Sequence, residues 1–425
     1  MRRREFVRSV AGSAGGALLL DVLSREGAIA SVPRWPEGDL AGEEFWAFVR
    51  DLFPLSHERA YLNTGGLGAS PNVVINAVKA KMDELERTCE TGREEDLWQS
   101  IKSACAELLG CDAGELAFVR NTTEGVNIVA NGLPLARGDE IITTTQEHVG
   151  NTMPWLALMR RAGVVARFFE PSVISQQENL DRIQKLFSKR TRLLSIPHVT
   201  TTTGLIMPVR EIAAMARARK AWLFIDGAQS AGMFPFNLHD IGCDAYATSG
   251  HKWLMGPKET GLLYVREEML DVIQPRFTGA YSAGEFDFRK GTYRFEGTAV
   301  RYEYGTVSTP LRVGLGAAVG FVQRIGIGRV WERDRALSGR LYRGLREIPG
   351  VTILSPERDE MRSAMITLSH RDVPYAALQE HLNKYKLRTR VVTEGGLAAL
   401  RISTHIYNTP AEVDRVLEAV RTVRN

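Results

Sequence analysis

Short apolar runs alternate with stretches of helical periodicity from about residue 115 to residue 265, and this alternation limits the possible folds more than any other feature of the chain. Runs at 115–119, 140–144, 164–169, 192–197, 222–225, 245–249 and 261–265 read as strands, with amphipathic helices between most of them. Strands joined through helices imply a mainly parallel sheet covered on both faces, an α/β fold. Beyond residue 306 the pattern becomes one long helix, 311–348, followed by strands at 351–353, 364–368, 389–392 and 400–403 and a closing helix at 411–424. That second block reads as a smaller α+β unit. A chain of 425 residues is too long for one small core. The expected division is a terminal signal (1–30), an N-terminal segment (31–75), a large domain (76–306) and a small domain (307–425).

Charge excludes some functions. Lys plus Arg (54) exceeds Asp plus Glu (50) by a margin that the arginines at positions 2–4 nearly supply, so the rest of the chain is close to neutral. No basic stripe with interleaved aromatics occurs, which argues against nucleic acid as a partner. The four cysteines, Cys89, Cys105, Cys111 and Cys243, lack metal-ligand spacing and read as free thiols; no metal is expected. Arg2-Arg3-Arg4-Glu5-Phe6-Val7, the apolar run 11–20 and Ala28-Ile29-Ala30 resemble a twin-arginine export signal. The run is too short to span a bilayer, so the mature protein is expected without a membrane span, exported if the signal is used and cytoplasmic if it is not.

Chemistry gathers at three places. Trp222-Leu223-Phe224-Ile225 leads into Asp226-Gly227, which puts a carboxylate at the carboxyl edge of a parallel sheet, where such folds bind ligands. After another apolar run comes Ser249-Gly250-His251-Lys252, at a distance that allows a helical loop and a return strand, so Lys252 can stand beside Asp226. A buried Lys has a lowered pKa and becomes an amine nucleophile for an aldehyde. A carboxylate that keeps a ring nitrogen protonated is the other requirement of pyridoxal chemistry. The third place is Phe118-Val119-Arg120-Asn121-Thr122-Thr123-Glu124-Gly125, where a strand, a Thr122-Thr123 turn and a helix start offer a phosphate cradle. A Ser/Thr-x-x-Glu cap is the plain structural alternative, and both readings can hold together.

Asn121-Thr122-Thr123-Glu124-Gly125-Val126-Asn127, Gln146-Glu147-His148, Asp226-Gly227-Ala228-Gln229, Ser249-Gly250-His251-Lys252 and Tyr304-Gly305-Thr306 occur in the order of class V aminotransferase-fold enzymes. The chain resembles that family from about Tyr61 to its C-terminus. The resemblance implies fold type I of the pyridoxal 5'-phosphate enzymes, with Lys252 as the Schiff-base lysine and Asp226 on the pyridinium nitrogen. It implies His148 stacked on the ring, Gln229 on the phenolic oxygen and Thr123, Ser249 and His251 on the phosphate. It makes Thr306 a phosphate ligand given by a second subunit, hence a homodimer with shared sites. Arg401 matches the arginine that grips the carboxylate of an amino-acid substrate, a task suited to the guanidinium fork.

Two departures matter. The loop 388–397 holds no Cys, where cysteine desulfurases carry their nucleophile, so desulfurase chemistry is not expected. Thr201 stands where many desulfurases have an Asn on the phenolic oxygen. The runs Tyr61-Leu62-Asn63-Thr64-Gly65, His198-Val199-Thr200 and Ser403-Thr404-His405-Ile406-Tyr407-Asn408 look closest to isopenicillin N epimerase-like proteins. Epimerisation, β-elimination of a sulfur group and transamination all begin at Lys252 and stay open. Tyr281, Arg289, Arg294 and Tyr302 are candidates for the pocket or for an interface.

Overall fold

The computed structural model describes residues 42–423 together with Leu19, Leu20 and Leu23. The proposed signal lies outside the described residues except for those three leucines, which are buried in the main core beside Phe45, Val49 and Phe53.

A short strand, β1 (Ala60–Tyr61), and two helices, α2 (Asn72–Thr88) and α3 (Glu95–Leu109), follow the first described helix, α1 (Gly42–Asp51). The central sheet is built from β2 (Leu116–Val119), β3 (Glu140–Thr144), β4 (Val165–Phe169), β5 (Thr191–Pro197), β6 (Trp222–Asp226), β7 (Ala245–Ser249) and β8 (Gly261–Val265). Their order is β2-β8-β7-β6-β5-β3-β4. The pairs among β4, β3, β5, β6 and β7 are parallel, and β8 alone runs against its neighbours. The expected α/β fold with a mainly parallel sheet is therefore present. Strands β2, β3, β7 and β8 are buried along their whole length, as a sheet covered on both faces requires. Among the covering helices are α4 (Thr122–Gly132), α5 (Val149–Ala162), α6 (Gln176–Leu186) and α7 (Val209–Ala218).

The long helix expected over 311–348 is two helices, α8 (Thr309–Ile325) and α9 (Ile327–Arg346). Gly326 separates them at φ 90 and ψ 120, a conformation that side chains with a Cβ avoid. Apolar periodicity runs through the break because both helices bury one face, so periodicity could not reveal it.

The smaller unit packs β11 (Val351–Ile353), β12 (Met365–His370), β15 (Ala399–Ser403) and β14 (Arg390–Val392) into an antiparallel sheet in that order. The strand expected over 389–392 is β14. A separate short strand just before it, β13 (Leu387–Arg388), pairs with β1, and β14 pairs with β15. The early segment is thereby sewn to the end of the chain, and Asn63 bridges Ser403 just beyond. Between β8 and α8 an exposed hairpin, β9 (Ala283–Asp287) with β10 (Thr292–Phe295), projects from the body. No helix among the described residues is long and apolar enough to cross a membrane.

Candidate active site

Strands β6 and β7 run parallel with Asp226 opposite Ala247, so Asp226 and Ser249 come out at the same carboxyl edge. Asp226 is buried and accepts the Ala228 amide on Oδ1 at 2.9 Å. Burial holds its carboxyl above the usual range, against the pull of that amide and of Lys252. Lys252 lies three residues past β7 in a tight turn, also buried. Its amine falls from 10.5 to about 8 because burial disfavours the charged form; Asp226 opposes this, while Arg401 and Arg390 add to it. An early segment closes over the turn. The Gly68 amide donates to the His251 carbonyl at 2.7 Å, and a Cβ on Gly68 would lie 1.9 Å from the Lys252 carbonyl oxygen.

Helix α4 begins at Thr122 rather than Glu124, and its cap is Asn121, whose side chain accepts the Glu124 amide at 3.0 Å. The cap stands three residues before Glu124, where a Ser/Thr-x-x-Glu cap would, with Asn in place of the hydroxyl residue. This leaves Thr122 and Thr123 free of capping. The Thr122 amide donates to Ser249 Oγ at 3.1 Å, the two hydroxyls lie 2.8 Å apart, and Thr123 reaches the cleft wall. His251 joins them with a buried Nδ1 that has no partner, its ring drawn down to about 4 by burial and then by Lys252.

His148 caps α5. Its Nδ1 accepts the Gly150 amide at 3.0 Å, which leaves the ring proton on Nε2. Burial, followed by Lys252 and Arg390, lowers it to about 4, so the ring is neutral near pH 7. Its neighbour Glu147, which sequence reasoning passed over, accepts from Thr144 at 2.9 Å and from Asn151 at 2.8 Å. Burial, with Asp226 nearby, pushes Glu147 up to about 8.

A cleft of about 280 Å³ brings together Thr122, Thr123, His148, Thr201, Asp226, Ser249, His251 and Lys252. Three other expected site residues are placed elsewhere. Gln229 stands behind the wall with its amide committed, donating to Gly65 O at 2.8 Å and accepting Trp253 Nε1 at 2.8 Å. Arg401 is fully buried, giving hydrogen bonds to Thr201 O at 2.7 Å and Thr201 Oγ1 at 2.9 Å, with Nε unpartnered. Thr306 is exposed, away from the cleft of its own chain. None of Tyr281, Arg289, Arg294 and Tyr302 lines this cleft. Tyr281 stacks on Arg93, Arg294 pairs with Glu285 on the hairpin, Arg289 is exposed and Tyr302 is a core residue bonded to Ile273 O. Gly65, Gly66 and Arg390 also line the wall. The run containing Gly65 was visible in the sequence as a motif, but its place in the cleft was not.

These groups fit pyridoxal phosphate. A helix N-terminus with Ser249 and the orphaned Nδ1 of His251 would hold a phosphate, the free side of the Asp226 carboxylate would meet a protonated ring nitrogen, and the Lys252 amine would meet the aldehyde. The family model of aminotransferase class-V matches residues 77–416. The chain belongs to the class V aminotransferase family. A probable cysteine desulfurase 2 of Mycobacterium leprae is 30% identical over 402 residues, covering 88% of this chain and 95% of that protein. A cysteine desulfurase of Salmonella agona is 30% identical over 400 residues, 88% of this chain and 97% of its own. Among solved structures, the cystine C-S lyase C-DES in complex with its product cysteine persulfide superposes with a TM-score of 0.78 at 26% identity, covering 87% of this chain and 99% of that one. A further C-DES structure, with glycine covalently linked to the PLP cofactor, gives 0.79 at 26% identity, covering 88% and 99%. This class V aminotransferase-fold protein is a pyridoxal-phosphate enzyme. The relatives named here are desulfurases and a C-S lyase, where the sequence motifs had pointed towards epimerase-like proteins.

Proposed function

We propose that the protein is a C–S lyase, removing a sulfur-bearing group from Cβ of an amino acid without passing sulfur to a cysteine of its own. One observation carries this: the wall of the cleft holds Lys252, Asp226 and Arg390 but none of the four cysteines. Likeness to a cystine C-S lyase and to desulfurases supports carbon–sulfur cleavage, and the missing thiol favours elimination over persulfide transfer.

Bound pyridoxal phosphate supplies an electron sink for the bond broken at Cα. The chain supplies the rest. Lys252, its amine uncharged above about pH 8, takes the Cα proton. His148 presents Nε2–H, the proton its ring has to give, on the same wall. Arg401 waits behind Thr201 and Gly65 as the anchor for the substrate carboxylate, and Thr201 is the hydroxyl it holds in place. Thr306 reaches the phosphate of a second copy, so that the working unit is a homodimer. Export through the twin-arginine route belongs to the same reading, checked by fractionation of the native host.

The test is incubation of the purified protein with L-cystine and S-substituted cysteines in deuterated water. Pyruvate, ammonia and a released thiol or persulfide are expected, and mass spectrometry should find no persulfide on any protein cysteine. Cα exchange with inversion and no keto acid would establish the epimerase reading, which the convergence of Thr64 and Tyr407 at 2.5 Å from two epimerase-like motifs keeps in view. Lys252→Ala should also remove the visible absorbance of the bound cofactor; a surviving band that borohydride bleaches would show another lysine at work.

A further inference from the structure

The turn that carries Lys252 is strained. The Lys252 carbonyl accepts the Met255 amide at 3.1 Å, and Met255 takes φ 58, left-handed backbone that a side chain with a Cβ rarely adopts. Such a turn keeps its shape only where its surroundings hold it. Trp253, the residue after the lysine, is the point of attachment. Its Nε1 donates to Gln229 Oε1 at 2.8 Å, and its carbonyl accepts from His405 Nε2 at 3.1 Å. Among the described residues no other donor reaches that carbonyl.

Asp334 fixes His405. The ring Nδ1 faces both carboxylate oxygens, at 3.0 and 3.1 Å, and both side chains are fully buried. A carbonyl only accepts, so Nε2 carries a proton. One further proton lies between Nδ1 and the carboxylate, where two bare lone pairs would otherwise face each other. Both nitrogens of the ring are thereby committed. A buried pair of this kind adds little to stability that packed apolar side chains could not supply. What those side chains lack is a donor for the Trp253 carbonyl.

Both members belong to the smaller unit, Asp334 to α9 and His405 to the loop after β15, the strand that carries Arg401. Lys252 and Trp253 follow β7 of the large sheet. The pair therefore ties the strand of the buried arginine to the turn of the lysine. We propose that Asp334 and His405 are positioning residues for Lys252, holding the Trp253 carbonyl so that the lysine amine stands within reach of the cofactor aldehyde. The inference rests on Lys252 as the cofactor lysine and is independent of which bond the enzyme breaks.

Titration of the full chain, freed of cofactor, with pyridoxal phosphate and with pyridoxine phosphate isolates the effect. The two share ring and phosphate, and only the first has an aldehyde for the amine. Asp334→Leu combined with His405→Phe removes both partners and leaves no buried charge unpaired. In that variant pyridoxal phosphate should bind about tenfold more weakly, the scale of one lost hydrogen bond, while pyridoxine phosphate stays within about twofold. Asp334→Asn combined with His405→Gln restores an uncharged donor to the Trp253 carbonyl and should recover most of the loss. Equal weakening of both ligands would show that the pair only supports the cleft, and unchanged binding of both would show that Lys252 does not depend on it; either overturns the proposal. In the unaltered chain, nitrogen NMR of labelled histidine should find a proton on His405 Nε2 at pH 7, and a bare Nε2 overturns the proposal whether or not the variants fold. Lys252→Ala separates the two readings, since pyridoxal phosphate bound as tightly as by the parent would mean that the cofactor-lysine assignment itself has failed.

Discussion

Lys252 shows what the site costs the fold. Its amine titrates near 8 in the folded chain and at 10.5 when unfolded, so from pH 8 to 10.5 the unfolded chain binds the extra proton and stability rises with pH. Below pH 8 the full penalty, about 3 kcal/mol, is present. Cofactor-free Lys252→Met should therefore be more stable than the parent at pH 7 by up to that amount, with the advantage shrinking towards pH 10.5, as denaturant unfolding at the two pH values will show. An equal or smaller stability at pH 7 would mean that Lys252 is not desolvated. Two residues of this kind were legible because each closes a strand, Asp226 at the end of β6 and Ser249 at the end of β7, whereas His148 was legible only as a motif member. Arg401, Gln229 and Gly65 were legible only as motif members. Their partners lie far along the chain, Gly65 at 164 positions from Gln229 and Asn63 at 338 from Arg401, and no local pattern encodes such meetings.

At the scale of elements, glycines decide where helices and turns can run. Gly326 divides α8 from α9 with a backbone only glycine adopts easily, and a Cβ there meets nothing within 4 Å. Gly326→Ala should thus cost about 1–3 kcal/mol through backbone strain alone. Gly328, inside α9 with equally open surroundings, is the control; its replacement by Ala should add about 0.5–1 kcal/mol. Equal effects at both positions in equilibrium unfolding would refute the argument. Gly68→Ala is a different case, since its Cβ would overlap the Lys252 carbonyl. There a loss of about 1–3 kcal/mol should come with weaker cofactor retention, measured by dialysis and absorbance. The strands of the large sheet were readable from their length and β-branched content, whereas the split of the expected helix was not, because the burial pattern continues through the break.

For the whole molecule, large apolar side chains are exposed near the cleft. Val149, Met153 and Phe277 are each more than half exposed, and Phe277 shares a depression with Thr123. If the proposed homodimer forms through this face, the partner's Thr306 is the residue offered to the phosphate end. Met153→Glu should then yield monomers in sedimentation together with a sharp loss of cofactor affinity. Thr306→Ala should weaken the cofactor while leaving the dimer intact. A Met153→Glu protein that stays dimeric and loaded would place the interface elsewhere.

Pairing between β1 and β13 has a consequence in time. The floor of the cleft at Gly65 and Gly66 is fixed by a segment whose anchors, Leu387, Arg388 and Ser403, follow it by more than 300 residues. A nascent chain therefore has no finished pocket until those anchors have been made. A pocket complete enough to capture the cofactor must await the pairing of two segments far apart in the chain.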